Sequence, residues 1–159
     1  MRRYLLFTFR DKVSGNDFLA DVTAHGRALA VQDADEWWTY GVEPGGLAGG
    51  GTTILEAHGE FRKTFTAVLF QLAEEAKDFW AFKEAVQAFF KEIDPSEAEA
   101  WTAAVAEVRS GQVAAKDLPV TKDGIRELPA DSARYVAVER KQHFRPADSQ
   151  LDPQVAVAA

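Results

Sequence analysis

Between Val42 and Ala57 the chain reads Val-Glu-Pro-Gly-Gly-Leu-Ala-Gly-Gly-Gly-Thr-Thr-Ile-Leu-Glu-Ala. A glycine-rich loop that runs into a helix is the pattern that cradles phosphate, because bare backbone N–H groups and the helix dipole both favour an anion. Two features count against that chemistry here. No lysine follows the glycines, so the Walker arrangement is missing, and Gly45, Gly46, Gly49, Gly50 and Gly51 lack the G-x-G-x-x-G spacing of a dinucleotide site. Five glycines and a proline within eight residues predict a connection without regular structure. Thr53 and Glu56 have the spacing of a capping box and mark where a helix begins.

Other chemistry-bearing residues are scattered. His25, His58 and His143 have no metal-ligand spacing, and the chain has no cysteine, which excludes disulfides, thiolate catalysis and cysteine-based zinc or iron–sulfur sites. The acids Glu74-Glu75 and Asp33, Asp35 and Glu36 read as solvated faces rather than an acid–base pair. No activated nucleophile is recognisable. We therefore expect a non-enzymatic protein with neither metal nor cofactor.

Binding chemistry is better represented. Trp37, Trp38 and Tyr40 cluster on one short strand pattern, and alternation sends Trp37 to one face and Trp38 and Tyr40 to the other. Aromatics bury much area at small entropic cost, so this strand is the first choice for a protein-binding surface. A second cluster, Arg134, Arg140, Lys141 and Arg145 with Tyr135 and Phe144, has the composition of a nucleic-acid contact and equally that of a charged strand edge.

The elements that must position these residues follow from periodicity. Leu5, Phe7 and Phe9 alternate in a strand over 4–10, with a turn whose tip is Ser14-Gly15-Asn16. A second strand closes at His25-Gly26, residues 27–33 read as a third, and 37–42 as a fourth; such short connections favour an antiparallel meander. From Thr53 the period becomes helical through Ala57, Phe61, Phe65, Leu69 and Leu72, continuing past a bend near Lys77-Asp78 through Phe79, Phe82, Val86 and Phe90. Pro95 stops that run, Ser96 is suited to cap a third helix, and Gly111 to end it. Residues 134–141 read as one more strand, adding to this sheet or to a neighbour's.

The whole reads as an α+β fold with amphipathic helices packed on one face of a mostly antiparallel sheet. The expected organisation is a domain over 1–112, a C-terminal extension with one strand over 113–145, and a disordered tail over 146–159. No apolar run approaches the roughly 18 to 20 residues of a membrane span. With Met1-Arg2-Arg3-Tyr4 leading into alternation, we expect no signal peptide, no anchor and a cytoplasmic location. The 159 residues carry a net charge of −7. Residues 115–145 hold seven Lys or Arg against five acids, a net of +2, so the remainder carries −9 and suits a basic partner.

A β-meander, a P-G…G-x-T-x-x-E-A junction and an amphipathic helix together are similar to the HicB-like antitoxin family. The matching residues are Pro44, Gly45, Gly51, Thr53, Glu56 and Ala57, and the likeness reaches through Phe79-Trp-Ala-Phe82-Lys-Glu-Ala-Val86 and Phe89-Phe90, covering about residues 4–93. The resemblance implies an incomplete ribonuclease-H-like sheet used for protein binding. It also implies sequestration of a small basic RNA-cleaving toxin, homo-oligomerisation, and often operon repression through an added DNA-binding domain. Independently, the edge strands and the aromatic surface lead us to expect a homodimer or higher homo-oligomer. Two alternatives stand beside it: a DNA-binding regulator using the basic C-terminal segment, and a small-ligand or phosphate-binding protein using the glycine-rich loop.

Overall fold

The first two strands set the frame. In the computed structural model, which describes residues 2–111 and 135–141, β1 (Arg2–Gly15) and β2 (Phe18–Asp33) pair in unbroken register from Arg2 opposite Val31 to Gly15 opposite Phe18. That register matches odd positions of β1 with even positions of β2. Phe7, Phe9 and Val13 therefore share a buried face with Phe18, Ala20, Val22, Ala24 and Ala28. The alanines of β2 leave room for rings contributed from elsewhere.

The far edge of β2 is divided. Arg27–Asp33 pairs with β3 (Glu36–Glu43), with a bulge between Arg27 and Ala28, and Ala20–His25 pairs with β5 (Tyr135–Arg140). β4 (Ala48–Gly51) completes the path on the outer side of β3. Every pairing is antiparallel, so the expected α+β meander stands, and the strand expected over 134–141 adds to this chain's own sheet.

Two helices cover the buried face. α1 (Ile54–Glu75) turns Ala57, Phe61, Phe65, Leu69 and Ala73 inward at four-residue steps, and α2 (Phe79–Lys91) adds Phe79, Phe82, Val86 and Phe90. The rings interlock edge to face, Phe7 with Phe61 at 5.1 Å and Phe65 at 5.3 Å, and Phe65 with Phe90 at 5.7 Å between centroids. α3 (Pro95–Arg109) corrects the one-face expectation. It lies on the opposite face, where Ala98, Trp101 and Ala104 meet Tyr4, Leu29, Val31 and Val42. Among the described residues no helix is long and apolar enough to cross a membrane.

Other boundaries differ from the sequence reading for identifiable reasons. The expected turn at His25-Gly26 is the middle of β2. Gly26 sits opposite Phe7, and a Cβ on it would lie 2.4 Å from Phe7 Cζ, so glycine is there to admit the ring rather than to turn the chain. The hairpin tip is Asn16-Asp17, with Asp17 at φ 56°, a region acidic side chains tolerate better than most. The expected bend near Lys77 is a full break. Ala76 is extended, and Asp78 starts α2 by accepting from Ala81 N–H at 2.9 Å. Asp94, not Ser96, caps α3, accepting from the backbone N–H groups of Ser96 (3.0 Å) and Glu97 (3.2 Å), with Pro95 in the first helical position. Gly111, at φ 76°, lies just past the end of α3 as expected.

Candidate protein-binding surface

The glycine-rich stretch, expected to lack regular structure, contains β4. Its register sets Trp37 opposite Gly51, Trp38 opposite Gly50, Thr39 opposite Gly49 and Tyr40 opposite Ala48. Glycine is required because both faces of this strand are filled by neighbours. A Cβ on Gly49 would lie 2.1 Å from the Phe61 backbone nitrogen, and one on Gly51 2.6 Å from Glu56 Cβ, so α1 packs backbone to backbone on that side. On the other side a Cβ on Gly50 would come within 3.1 Å of Trp38 Cη2 and Cζ3. The indole thus leans off β3 and lies across β4, covering bare backbone with an aromatic ring.

Tyr40 extends that cover. Its ring stacks on Trp38 with centroids 6.4 Å apart and planes at 19°. Both are half-buried and share a sheet face with Val31 and Leu29, their partners on β2, beside the area that α3 occupies. Trp37 takes the opposite face with buried Thr39, as alternation predicts, and is also half-buried. The three sequence-chosen aromatics therefore divide into a half-buried pair on the face of α3 and a single half-buried ring on the side of α1. At the hairpin end of β3, Glu36 stands opposite Asp33 on the face of Trp38, and Asp35 lies in the turn between them. All three carboxylates are exposed, and among the described residues none has an ion-pair partner.

The junction residues are architectural. Pro44 is fully buried after a cis peptide bond from Glu43, and Gly45 donates its N–H to Glu92 O at 2.8 Å, tying the loop to the end of α2. A Cβ on Gly45 would lie 2.8 Å from the Asp94 nitrogen. Thr53 caps α1, its hydroxyl accepting from Glu56 N–H at 3.2 Å, while Glu56 reaches back to Thr52, accepting from its N–H at 2.9 Å and its hydroxyl at 2.6 Å. Those bonds, the Thr52 hydroxyl first, hold the Glu56 carboxyl below its ordinary range. Ala57 is buried where Gly49 and Gly51 meet the helix. The phosphate-cradle geometry is thus filled by the chain's own carboxylate, hydroxyl and helix backbone.

Of the basic cluster, Arg140 and Lys141 lie among the described residues. Lys141 pairs with Asp21 at 2.6 Å and donates its backbone N–H to Leu19 O at 2.9 Å, leaving Arg140 exposed beside it. Arg134 and Arg145 lie outside the described residues, as does His143. His25 is mid-strand on β2 rather than in a turn. His58 stacks on Phe61 at 6.0 Å, and burial, then the nearby Arg62 charge, lowers its pKa. Among the described residues no group of His, Asp and Glu is arranged to hold a metal ion.

The sequence reading passes over two features. Arg27 and Glu43 form a buried ion pair at 2.8 Å, with the guanidinium 4.9 Å from the Trp101 ring centroid beneath α3. An arginine inside an apolar strand run was the available signal. Trp80 is 64% exposed on α2, with Lys83 Nζ 5.9 Å from its ring; its position out of phase with Phe79, Phe82 and Val86 carried that information. Compared with protein families, with curated proteins and with solved structures, the chain matches none of them.

Proposed function

We propose that the protein is a non-enzymatic interaction module of the kind its resemblance to HicB-like antitoxins suggests, which binds a small basic protein and occludes that partner's working surface. The observation that carries this reading is the pairing of a half-buried Trp38–Tyr40 stack with three exposed carboxylates, Asp33, Asp35 and Glu36, at one end of β3. Aromatic faces attract cations through their quadrupole, and carboxylates supply opposite charge at the rim. A chain of net charge −7 would steer the same partner electrostatically. An RNA-cleaving toxin has the required charge, since its own substrate is a polyanion.

Co-purification from source cells at moderate salt is the test. The tagged protein is expected to retain a small basic protein, and Trp38→Ala with Tyr40→Ala is expected to release it while leaving the protein folded. Retention by the double variant, or recovery of acidic partners alone, would contradict the proposal. A DNA-binding role for the basic segment draws less support, because Lys141 is engaged by Asp21.

A further inference from the structure

Among the described residues β4 ends the sheet on its side and pairs only with β3. In an antiparallel ladder alternate residues bond inward, so two of its four residues direct N–H and C=O away from β3. Sheet edges of this kind accept an added strand, with backbone bonds giving affinity and side-chain pockets giving specificity. The other long edge, β1, is already partly engaged, for Arg62 donates to Thr8 O at 2.8 Å.

The surroundings of the β4 edge select the chemistry of its occupant. Neighbouring strands lie about 4.8 Å apart, so the residue of an added strand beside Gly50 would normally meet the Gly50 side chain. There is none, and the Trp38 benzo ring lies within 3.1 Å of where that side chain would begin. Glu36 follows on the same face, about 7 Å along β3. On the opposite face α1 packs directly on Gly49 and Gly51, which restricts an added strand to small side chains on that side.

Building on the basic-partner reading above, we propose that the outer edge of β4 takes up an extended segment of that partner as a further strand. Its alternate residues are arginine or lysine, set over the Trp38–Tyr40 stack and toward Glu36, and the residues between them are small. The basic partner is then held by backbone pairing at an edge, with the aromatic stack reading every second side chain.

Capped peptides alternating arginine with threonine, and glutamate with threonine, are the probes, added to the full chain and followed by the amide signals of Gly49, Gly50 and Gly51 and the Trp38 indole N–H. The arginine peptide is expected to shift these signals and the glutamate peptide to leave them. Two isomers of the arginine peptide, N-methylated at every arginine or at every threonine, separate edge pairing from charge alone. Only one set of amides faces β4, so one isomer is expected to bind at least about tenfold more weakly and the other to match the parent. Trp38→Leu, which still covers Gly50, is expected to weaken the parent by a similar factor. Equal binding by both isomers, or shifts confined to residues away from β4, would overturn strand addition while leaving a basic partner in place. No shift with the arginine peptide would overturn strand addition and the basic-partner reading together.

Discussion

Trp38 covers glycine backbone on β4 and stacks on Tyr40 while remaining half-exposed. In the proposed reading Trp38 is an interface aromatic, a class that carries much of the binding energy, so Trp38→Ala is expected to weaken binding of the proposed basic partner by about 2 kcal/mol in titration calorimetry. The buried pair of Arg27 and Glu43 has a structural consequence. Removing the guanidinium breaks a buried charge-assisted hydrogen bond and the contact with Trp101, and Arg27→Met is expected to cost about 1.5–3 kcal/mol in urea denaturation. His58 adds a pH dependence. Burial holds its folded pKa below the ordinary histidine value of about 6.5, so the unfolded chain takes up the proton more readily. This contribution leaves stability unchanged above 6.5 and reduces it as pH falls through the folded value. His58→Gln should flatten that part of a plot of unfolding midpoint against pH.

Two glycines with opposite roles separate packing from propensity at the scale of the elements. Gly49→Ala drives a methyl group into the backbone of α1 and should destabilise by several kcal/mol, on the order of the larger core defects, with loss of the β4 amide protection that reports strand pairing. Gly59, on α1, has nothing within 4 Å of an added Cβ, so Gly59→Ala should raise the unfolding free energy by about 0.5–1 kcal/mol. Both positions are plain glycine in the sequence. What distinguishes them is how closely a distant helix approaches, which local pattern does not encode. The same limit explains the other differences. Gly26 reads as a turn because its partner ring, Phe7, is nineteen residues away in sequence, and β4 reads as loop because the neighbours that shape it, Trp38 and Phe61, belong to other elements. Where the cause is local, the sequence sufficed: the Thr53–Glu56 cap, the inward stripe from Ala57 to Leu69, the alternation that parts Trp37 from Trp38, and the strand at 135–140 were all legible. The placement of α3 on the far face was not, since Trp101 and Ala104 mark an apolar stripe without saying which side of a sheet receives it.

Across the whole molecule the sheet divides two kinds of work. Among the described residues one face is sealed by α1 and α2 over a phenylalanine-rich core, and the other carries α3 with the Trp38–Tyr40 stack beside an acidic hairpin end. With a net charge of −7, association with a basic partner should slow and weaken as salt rises, an effect measurable as a falling on-rate between low and physiological ionic strength. The most direct test of the binding surface puts a photo-crosslinking phenylalanine analogue in place of Tyr40 and, in a separate protein, in place of Trp80, the exposed aromatic on α2. After irradiation in source cells and mass spectrometry, the first protein should carry a covalently attached small basic protein and the second should not. Adducts at the Trp80 position alone, or no basic protein at either position, would contradict the account.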